Sequence, residues 1–446
     1  MRRVRGRISI VVGLALVAAA ACSSSSSGSQ KSGTPAASTS TTHPAPTTTL
    51  SPAQQLHKID HIVVLTQENR SFDSYFSSLG TTAASTPTNP DPLRPGATIT
   101  AYPNPNMCET ADLAHGWSEV HQEIDGGKMD GFTAANENST DPSGKRAMAQ
   151  YGPNDLPYYY ALAKTFGIGD RYFASVPGPT YPNRYYLIAG TSFGHVDNTA
   201  PTGDGWTQKT IFEELDAAHV SWKMYNSQAS VESLLFKYVR DHSAGHVVGI
   251  DQYFADAKAG KLPAVSFVEP TFIGKVDVEA DEHPPANPQV GQQASARVVN
   301  ALLHSPNWPT SAFFLTWDEH GGYYDHVAPP AAPKPDAIAP ILGPDDTHAA
   351  FDRYGVRVPV LVVSPWSRPG FVSHVVHDHT SILRTIELRF GVPALTHRDA
   401  LAHPMNDFFD FSHPTFLHPP ALPAATLDPR GVAQCAALWK DKVLGI

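Results

Sequence analysis

The sequence predicts an α/β fold in which helices cover both faces of a mostly parallel sheet. Four apolar runs are nearly continuous, which is typical of strands that are buried on both faces. These runs lie at residues 61–66, 264–268, 311–315 and 358–363. Helical patterns lie at residues 210–218, 231–240, 292–303 and 380–390. Because strands and helices are interspersed along one chain, a parallel sheet is the favoured arrangement.

Polar residues follow the apolar runs, and three of the four runs lead into carboxylates or carboxamides. In sheets of this kind, ligands bind at the carboxyl ends of the strands. We therefore expect the ends of all four runs to meet at one site. The residues at these ends are Gln67, Glu68 and Asn69, then Glu269, then Asp318 and Glu319, and finally Ser364 and Pro365.

The third run leads into the most informative segment, TWDEHGGYYDHVAPP at residues 316–330. Asp318 and Glu319 are adjacent, and Gly321 and Gly322 allow a sharp bend directly after them. Adjacent carboxylates repel each other, so a fold that holds both at one strand end needs a neutralising group. The segment therefore predicts either a metal site or an exposed turn.

The first 55 residues predict export rather than a folded domain. Residues 1–21 combine four arginines with a short apolar stretch, which is typical of a signal peptide. Cys22 follows three alanines, as the lipidated cysteine of a bacterial lipobox does. Residues 22–55 then form a flexible linker rich in Ser, Thr and Pro, and residues 56–446 form one large domain. We expect an exported protein, either a lipoprotein of the cell membrane or a protein of the envelope or the medium.

Charge and cysteine content exclude some partners and some kinds of metal site. The formal charge is −10, and residues 1–21 contribute +4 from four arginines, so residues 22–446 carry −14. This balance argues against nucleic acid as a partner, because such sites need a basic surface. Beyond Cys22, only Cys108 and Cys435 remain, which leaves a disulfide or two free thiols open. The chain has no CxxC pattern, which excludes a zinc site built from cysteines.

Thr180 precedes a predicted helix, within the segment GPTYPNR at residues 178–184. It suits the N-cap position, with Pro182 in the first turn. Either the threonine only caps the helix, or its hydroxyl lies where free N–H groups and the helix dipole attract phosphate. In the second case, a neighbouring divalent ion would activate the hydroxyl as a nucleophile.

Three of the 21 histidines stand out by their context: His115, His283 and His379. His115 lies in AHGWSEVH, His283 precedes two prolines, and His379 lies at a predicted helix start. Each is either a surface or capping residue or a proton donor for a leaving group.

Several motifs together resemble the bacterial phosphoesterase family, which contains the non-specific phospholipases C and a group of acid phosphatases. They are TQENRSFDSYF, GPTYPNR, DEHPP, TWDEHGGYYDHVAPP, and the pair VRVPVLVVSPW and HDHTSILRTIELRFG, in order from residue 61 to residue 390. The combination is specific, whereas any single motif is weak. The resemblance implies the fold of the alkaline phosphatase superfamily, a three-layer α/β/α sandwich, with residues 56–446 as the catalytic domain.

The resemblance also implies a site. The family's metal ligands fall on Glu68, Asn69, Asp318 and Glu319, its nucleophile on Thr180, and its pocket histidines on His115 and His283. Asn69 and Arg184 would stabilise the oxygens of the phosphoryl group. An all-oxygen ligand set favours a single hard divalent cation, Ca²⁺, Mg²⁺ or Mn²⁺, over Zn²⁺. His320, directly after the acidic pair, leaves a second metal open.

The function expected from these features is an exported phosphoric-ester hydrolase that is a monomer. Its first expected substrate is a phospholipid, cleaved in the manner of a phospholipase C. The alternatives are a phosphomonoesterase, such as an acid phosphatase, and a surface-binding lipoprotein without turnover. The aromatic loops at residues 323–324 and 408–420 either face lipid or cover the pocket, or they pack the C-terminal segment onto the domain.

Overall fold

The computed structural model describes residues 50–444, except residues 82–86, 229, 276 and 441. The predicted signal peptide and most of the predicted linker lie outside the described residues. The α-helices are α1 (Pro52–Leu56), α2 (Phe72–Phe76), α3 (Trp117–Ile124), α4 (Phe132–Ala135), α5 (Pro157–Thr165), α6 (Thr180–Ala189), α7 (Ile211–Ala217), α8 (Val231–Leu235), α9 (Lys237–Asp241), α10 (Ile250–Ala259), α11 (Pro288–Leu303), α12 (His379–Phe390), α13 (His397–Leu401) and α14 (Pro429–Trp439).

Strands of very different lengths form one large sheet and several two-stranded pairings. The strands are β1 (His61–Gln67), β2 (Thr88–Pro90), β3 (Thr98–Thr100), β4 (Tyr102–Pro103), β5 (Ala149–Gln150), β6 (Gly167–Gly169), β7 (Tyr172–Phe173), β8 (Trp222–Asn226), β9 (Val247–Gly249), β10 (Val265–Glu269), β11 (Gly274–Lys275), β12 (Ser311–Trp317), β13 (Val360–Val363), β14 (Phe371–Ser373), β15 (His377–Asp378) and β16 (Val443–Leu444).

The large sheet has eight strands in the order β14-β6-β13-β12-β1-β10-β8-β9. Its strands run parallel, except that β13 is antiparallel to both of its neighbours, β12 and β6. Strands β1 and β12 lie in the middle and are buried almost throughout, which explains why their sequences are apolar without alternation. The prediction of a mostly parallel sheet is confirmed.

Helices cover both faces of this sheet. On β8, the ring of Trp222 lies 4.4 Å from that of Phe212 on α7, and the ring of Tyr225 lies 5.4 Å from that of Tyr253 on α10. Trp222 and Tyr225 are three residues apart on one strand, so their side chains point to opposite faces. Helices α7 and α10 therefore lie on opposite faces, and the predicted three-layer α/β/α arrangement is confirmed.

The register of the central strands brings three polar strand ends together. Gln67 of β1 pairs with Trp317 of β12, and Leu65 of β1 pairs with Val268 of β10. Glu68 directly follows β1, Asp318 directly follows β12, and Glu269 ends β10. These three residues are therefore neighbours at one edge of the sheet.

The fourth predicted strand does not contribute to that edge. Because β13 is antiparallel, its polar end lies at the opposite edge of the sheet, where the Ser364 hydroxyl donates to the carbonyl of Ser311 at 2.8 Å. The expectation that all four runs end at one site was therefore wrong for this run. The strand also begins at Val360 rather than residue 358, since Pro359 has no N–H to donate to a ladder.

The predicted helices are present with local differences. The patterns at 210–218 and 380–390 match α7 and α12 to within one residue at each end. Helix α11 begins earlier than expected, at Pro288, because the Asn287 side chain caps it. The pattern at 231–240 forms two short helices, α8 and α9, because Phe236 between them has extended backbone angles.

Helix α14 is bound to the loop that contains Met107 and Cys108. Cys108 and Cys435 form a disulfide, which settles the question that the sequence left open. The Gln434 side chain accepts from the Met107 and Cys108 N–H groups at 2.9 and 3.4 Å. The C-terminal helix thereby holds the segment that precedes His115.

The aromatic side chains of the two predicted loops pack against the protein. Tyr323 and Phe408 are buried, and the ring of Phe416 lies 4.7 Å from that of Phe166. The Phe416 N–H also donates to the carbonyl of Pro365, at the edge of the sheet opposite the polar strand ends. The packing interpretation of these loops is therefore correct. Among the described residues, no helix has the length and apolar character needed to span a membrane.

Candidate active site

A cavity of about 340 Å³ opens at the carboxyl ends of β1 and β10. It contains five residues that sequence analysis predicted for the site, namely Glu68, His115, Thr180, Arg184 and His283. The rest of its lining consists of Asp112, Tyr181, Asn198, Ser230, Val231, Glu269, Pro270, Phe272 and Asp281. Strand ends and a helix start therefore meet at one concave surface, as expected for a parallel sheet.

Thr180 is the first residue of α6, and Pro179 occupies the N-cap position. The prediction that Thr180 is the N-cap was wrong by one residue, because the extended backbone of the cap falls on the proline. The Thr180 hydroxyl makes no hydrogen bond to any residue that the structure describes, and it lines the cavity. Since the hydroxyl is not used for capping, it is available for chemistry.

Arg184 lies one helical turn after Thr180 and therefore on the same face of α6. Its guanidinium is buried and binds Asp318 at 3.2 Å, Glu269 at 2.8 Å and Glu68 at 3.1 Å. These carboxylates come from three different strand ends, so Arg184 joins them. Contact between Arg184 and phosphate oxygens stays a prediction, since its N–H groups already bind carboxylates.

Two of the four predicted metal ligands carry buried oxygens without partners. Oδ1 of Asn69 and Oε1 of Glu319 accept no hydrogen bond from the described residues. The two loops that hold them touch closely, since a side chain on Gly321 would meet the Asn69 Cβ at 2.5 Å. Gly321 also has a φ of 63°, which glycine adopts without strain. Buried oxygens of this kind need a donor or a cation.

Electrostatics at the site also favour a bound cation. Burial raises the pKa of Asp318 to about 6 and that of Glu269 to about 8, and it raises the pKa of Glu319 well above its ordinary value. Clustered carboxylates that resist ionisation are stabilised by a divalent ion, which restores their charged form. The orphaned oxygens of Asn69 and Glu319 and the all-oxygen chemistry of the predicted set suit a hard cation. Among the described residues, however, the acid and histidine groups whose ligand atoms lie within 4.8 Å of one another are Asp112, His115 and His283, and Asp73, Asp325 and His326. A cation held by Glu68, Asn69, Asp318 and Glu319 therefore stays a prediction.

His115 and His283 lie together at the mouth of the site, with ring centroids 6.3 Å apart. Nε2 of His115 lies 3.9 Å from Glu319, and Nε2 of His283 lies 3.6 Å from Asp112. Burial alone would lower the pKa of His115, but the carboxylates of Glu319 and Asp112 outweigh it and raise that pKa to about 9. Burial lowers the pKa of His283. The two histidines therefore favour different protonation states.

The other two histidines considered from the sequence have structural partners. Nε2 of His320 lies 2.6 Å from the buried carboxylate of Glu123, and its Nδ1 lies 3.5 Å from Oε2 of Glu319. Nε2 of His379 lies 2.7 Å from the carbonyl of Asp318. A second metal ligated by His320 stays a prediction.

Sequence analysis missed several acidic residues of the site. Asp112, with His115 and His283, forms a group whose ligand atoms all lie within 4.8 Å of one another. Glu232 is fully buried 3.7 Å from Arg184, and Asp281 lines the cavity. Asp281 lies in the DEHPP motif, which could have identified it. No local pattern marks Asp112 or Glu232.

We expect Asp318→Asn and Glu319→Gln each to lower the affinity for a divalent metal ion by at least about tenfold. Each change keeps the size of the predicted ligand side chain and removes its charge. Metal content of the purified proteins checks this, and excess metal should partly restore binding. Glu387→Gln is the matched control, because Glu387 is an equally buried acid that pairs with Arg384 at 3.0 Å instead. Equal metal content in all three variants would show that the acidic pair is structural.

Comparisons with known proteins identify the family of this chain. The model of the Phosphoesterase family matches residues 59–393. Non-specific phospholipase C1 of Arabidopsis thaliana is 34% identical over 396 residues, which cover 80% of this chain and 73% of that protein. Phospholipase C B of Mycobacterium tuberculosis is 32% identical over 418 residues, which cover 80% of this chain and 79% of that protein.

The solved structures that resemble this chain share much less sequence identity with it than these relatives do. A protein of the alkaline phosphatase superfamily from Vibrio parahaemolyticus is 10% identical and superposes with a TM-score of 0.38, over 77% of this chain and 69% of that chain. A superposition this loose says nothing about the site. The family match and the level of identity to full-length relatives are sufficient: the chain belongs to the phosphoesterase family and is a phosphoric-ester hydrolase.

Proposed function

We propose that this enzyme is a phospholipase C that cleaves phosphodiesters such as phosphatidylcholine, with Thr180 as the nucleophile. The observation that carries the proposal is the free Thr180 hydroxyl at the start of α6, in the same cavity as Glu68 and His115. The relatives above support the substrate class, because they are named as phospholipases C.

The first step transfers the phosphoryl group to the enzyme. Oγ of Thr180 attacks phosphorus, and the bond from phosphorus to the glycerol oxygen breaks. The Thr180 proton is lost to a base, and the leaving diacylglycerol oxygen gains a proton. His115 is the favoured donor, because the carboxylates of Glu319 and Asp112 beside it stabilise its protonated form.

The second step releases the product and restores the enzyme. Water attacks phosphorus, the bond from phosphorus to Oγ of Thr180 breaks, and the hydroxyl is re-formed. The product is the phosphomonoester of the head group. His283, whose pKa is lowered by burial, is suited to accept the proton of the water.

A divalent cation would supply positive charge in addition to that of Arg184, whose guanidinium already binds three carboxylates. Glu68, Asn69, Asp318 and Glu319 would hold it, on the grounds of their oxygens and burial. When bound, it lowers the pKa of a neighbouring hydroxyl and neutralises phosphate oxygens. The Asn69 side chain amide, which is also without a partner, is suited to donate to a phosphate oxygen.

We expect Thr180→Ala to lower hydrolysis by at least about a thousandfold, because no other group replaces the attacking oxygen. Stability should change by no more than about 0.5 kcal/mol, since the hydroxyl makes no hydrogen bond. Turnover and urea unfolding of the same preparations check both parts, and Thr180→Ser, which keeps a hydroxyl, is the control. A folded Thr180→Ala enzyme with near wild-type turnover would remove Thr180 from the mechanism.

We expect the enzyme to release diacylglycerol from phosphatidylcholine or phosphatidylethanolamine micelles. It should also cleave a soluble phosphocholine diester faster than a simple phosphomonoester, because the cavity of about 340 Å³ has room for a second ester substituent. Initial rates on the two soluble substrates and lipid extraction from the micelles check this. A preference for the monoester without diacylglycerol release would assign the enzyme to the acid phosphatases.

We propose further that the chain is exported and lipidated at Cys22. The pattern of residues 1–22 supports this, and so does the disulfide between Cys108 and Cys435, because disulfides persist in oxidising compartments. Mass spectrometry of protein from the membrane fraction should find an N-terminus at Cys22 with attached lipid, which Cys22→Ser removes. An intact N-terminus on cytoplasmic protein would contradict the proposal.

A further inference from the structure

We propose that the mouth of the cavity carries an apolar lip, formed by Val231, Leu234, Phe272 and Ile273, that seats on a zwitterionic phospholipid surface. This inference rests on the proposed phospholipase C function, and it names the surface through which the enzyme reaches its substrate. Val231 and Phe272 line the cavity together with Ser230 and Pro270, and Leu234 and Ile273 belong to the same two segments.

Helix α8 presents half of the lip. Its residue Glu232 is fully buried and lies 3.7 Å from Arg184, which fixes the inward face of the helix. At about 100° per residue, Leu234 lies about 160° away from Glu232, and it lies about 60° from Val231. Val231 lines the cavity and also packs against the main hydrophobic cluster, and Leu234 is 51% exposed. The exposed residue of α8 is therefore a leucine, one turn after a residue that lines the cavity.

The loop after β10 presents the other half. The Gln228 side chain donates to the carbonyl of Ile273 at 2.5 Å and accepts from its N–H at 3.0 Å, so this loop is bound to the segment that precedes α8. Phe272 lines the cavity and is only partly buried. Neither Phe272 nor Ile273 packs against a hydrophobic cluster of the described residues. Leu234 is likewise outside these clusters, so three of the four side chains of the lip are not used for packing, and apolar side chains of this kind beside a pocket mark a binding surface.

A lipid surface is the partner that fits this arrangement. The cavity lining combines the polar residues Asp112, His115 and His283 with the apolar residues Val231 and Phe272. A phospholipid in a membrane presents the same combination, because its phosphodiester lies beside the acyl region. The acidic residues of the cavity and the charge of −14 on residues 22–446 oppose an anionic surface, so a zwitterionic one is favoured.

Vesicle binding and soluble turnover together test the lip. In the full chain carrying Cys22→Ser, so that no lipid anchor contributes, Leu234→Ser and Ile273→Ser should each weaken binding to phosphatidylcholine vesicles by about fivefold to tenfold. Turnover of the soluble phosphocholine diester should stay within about twofold. Leu234→Trp should strengthen vesicle binding, since tryptophan favours the membrane interface, and it keeps the test valid if a serine variant misfolds.

Leu417→Ser is the matched control. Leu417 is also an exposed leucine, at 42%, and it follows Phe416 at the opposite edge of the sheet. It should change neither vesicle binding nor turnover.

Each contrary outcome has a distinct meaning. The proposed lip is wrong if vesicle binding is unchanged in both serine variants and in Leu234→Trp. It is also wrong if the serine variants lose turnover of the soluble diester by the same factor as vesicle binding. Tighter binding to phosphatidylglycerol vesicles than to phosphatidylcholine vesicles would overturn the zwitterionic partner. If light scattering shows a dimer that Leu234→Ser dissociates while vesicle binding persists, the lip is a contact between two copies. Wild-type enzyme that binds vesicles through the lip but cleaves no diester would instead refute the proposed function.

Discussion

The buried guanidinium of Arg184 is the contact on which the rest of the site depends. It binds carboxylates from the ends of β1, β10 and β12, at distances of 3.2 Å or less, and has a fourth acid, Glu232, nearby. A guanidinium suits this position because its rigid fork donates to several carboxylates at once. Without it, buried acids from three strands would repel each other, and leaving such charges unpaired is strongly destabilising. Arg184 thereby sets the spacing of the strand ends.

The acids that surround Arg184 outnumber it, and this excess bears directly on the reaction. A phosphate ester is an anion and would be repelled by the cavity as the side chains alone define it. Burial holds the pKa of Asp318 and that of Glu319 above their ordinary values, which costs stability in the protein without a cation. One divalent ion among these acids would relieve that cost and attract the substrate. The same groups would thus serve cation binding and, through it, phosphate binding.

Helix α6 adds the proposed nucleophile, Thr180, to this site. A threonine at the N-cap would accept a hydrogen bond from a helix N–H, but the backbone places Pro179 there and leaves the Thr180 hydroxyl unused. A stabilising cap is therefore absent beside the proposed nucleophile, which is the kind of exchange of stability for activity that active sites show. Because Thr180 and Arg184 share one face of α6, the helix presents the hydroxyl and fixes the acid cluster together.

The amino-acid sequence by itself determined four strands of the large sheet, β1, β10, β12 and β13, together with helices α6, α7, α11 and α12 and the identity of the strand-end residues. These follow from local patterns, since apolar runs, helical periodicity and the Gly321-Gly322 bend act within a few neighbouring residues. The strand ends at Glu68 and Asp318 likewise indicated one site, because parallel strands end at the same edge, whereas the resemblance to the family assigned Thr180 to it. Local patterns do not establish the catalytic and metal-binding roles that we predict for these residues.

Only the tertiary structure decided which distant segments meet. It set β13 antiparallel, which removed Ser364 from the site, and it brought Glu232 to Arg184 and Asp112 to His283. It also paired Cys108 with Cys435, which are 327 residues apart in the sequence. No local pattern specifies such contacts, because they depend on how the whole chain packs and on which strand edge each loop reaches. The reason that the sequence does not predict these contacts is the same in each case. Periodicity and caps act over one or two helical turns, whereas burial and charge pairing join residues that are far apart in the sequence.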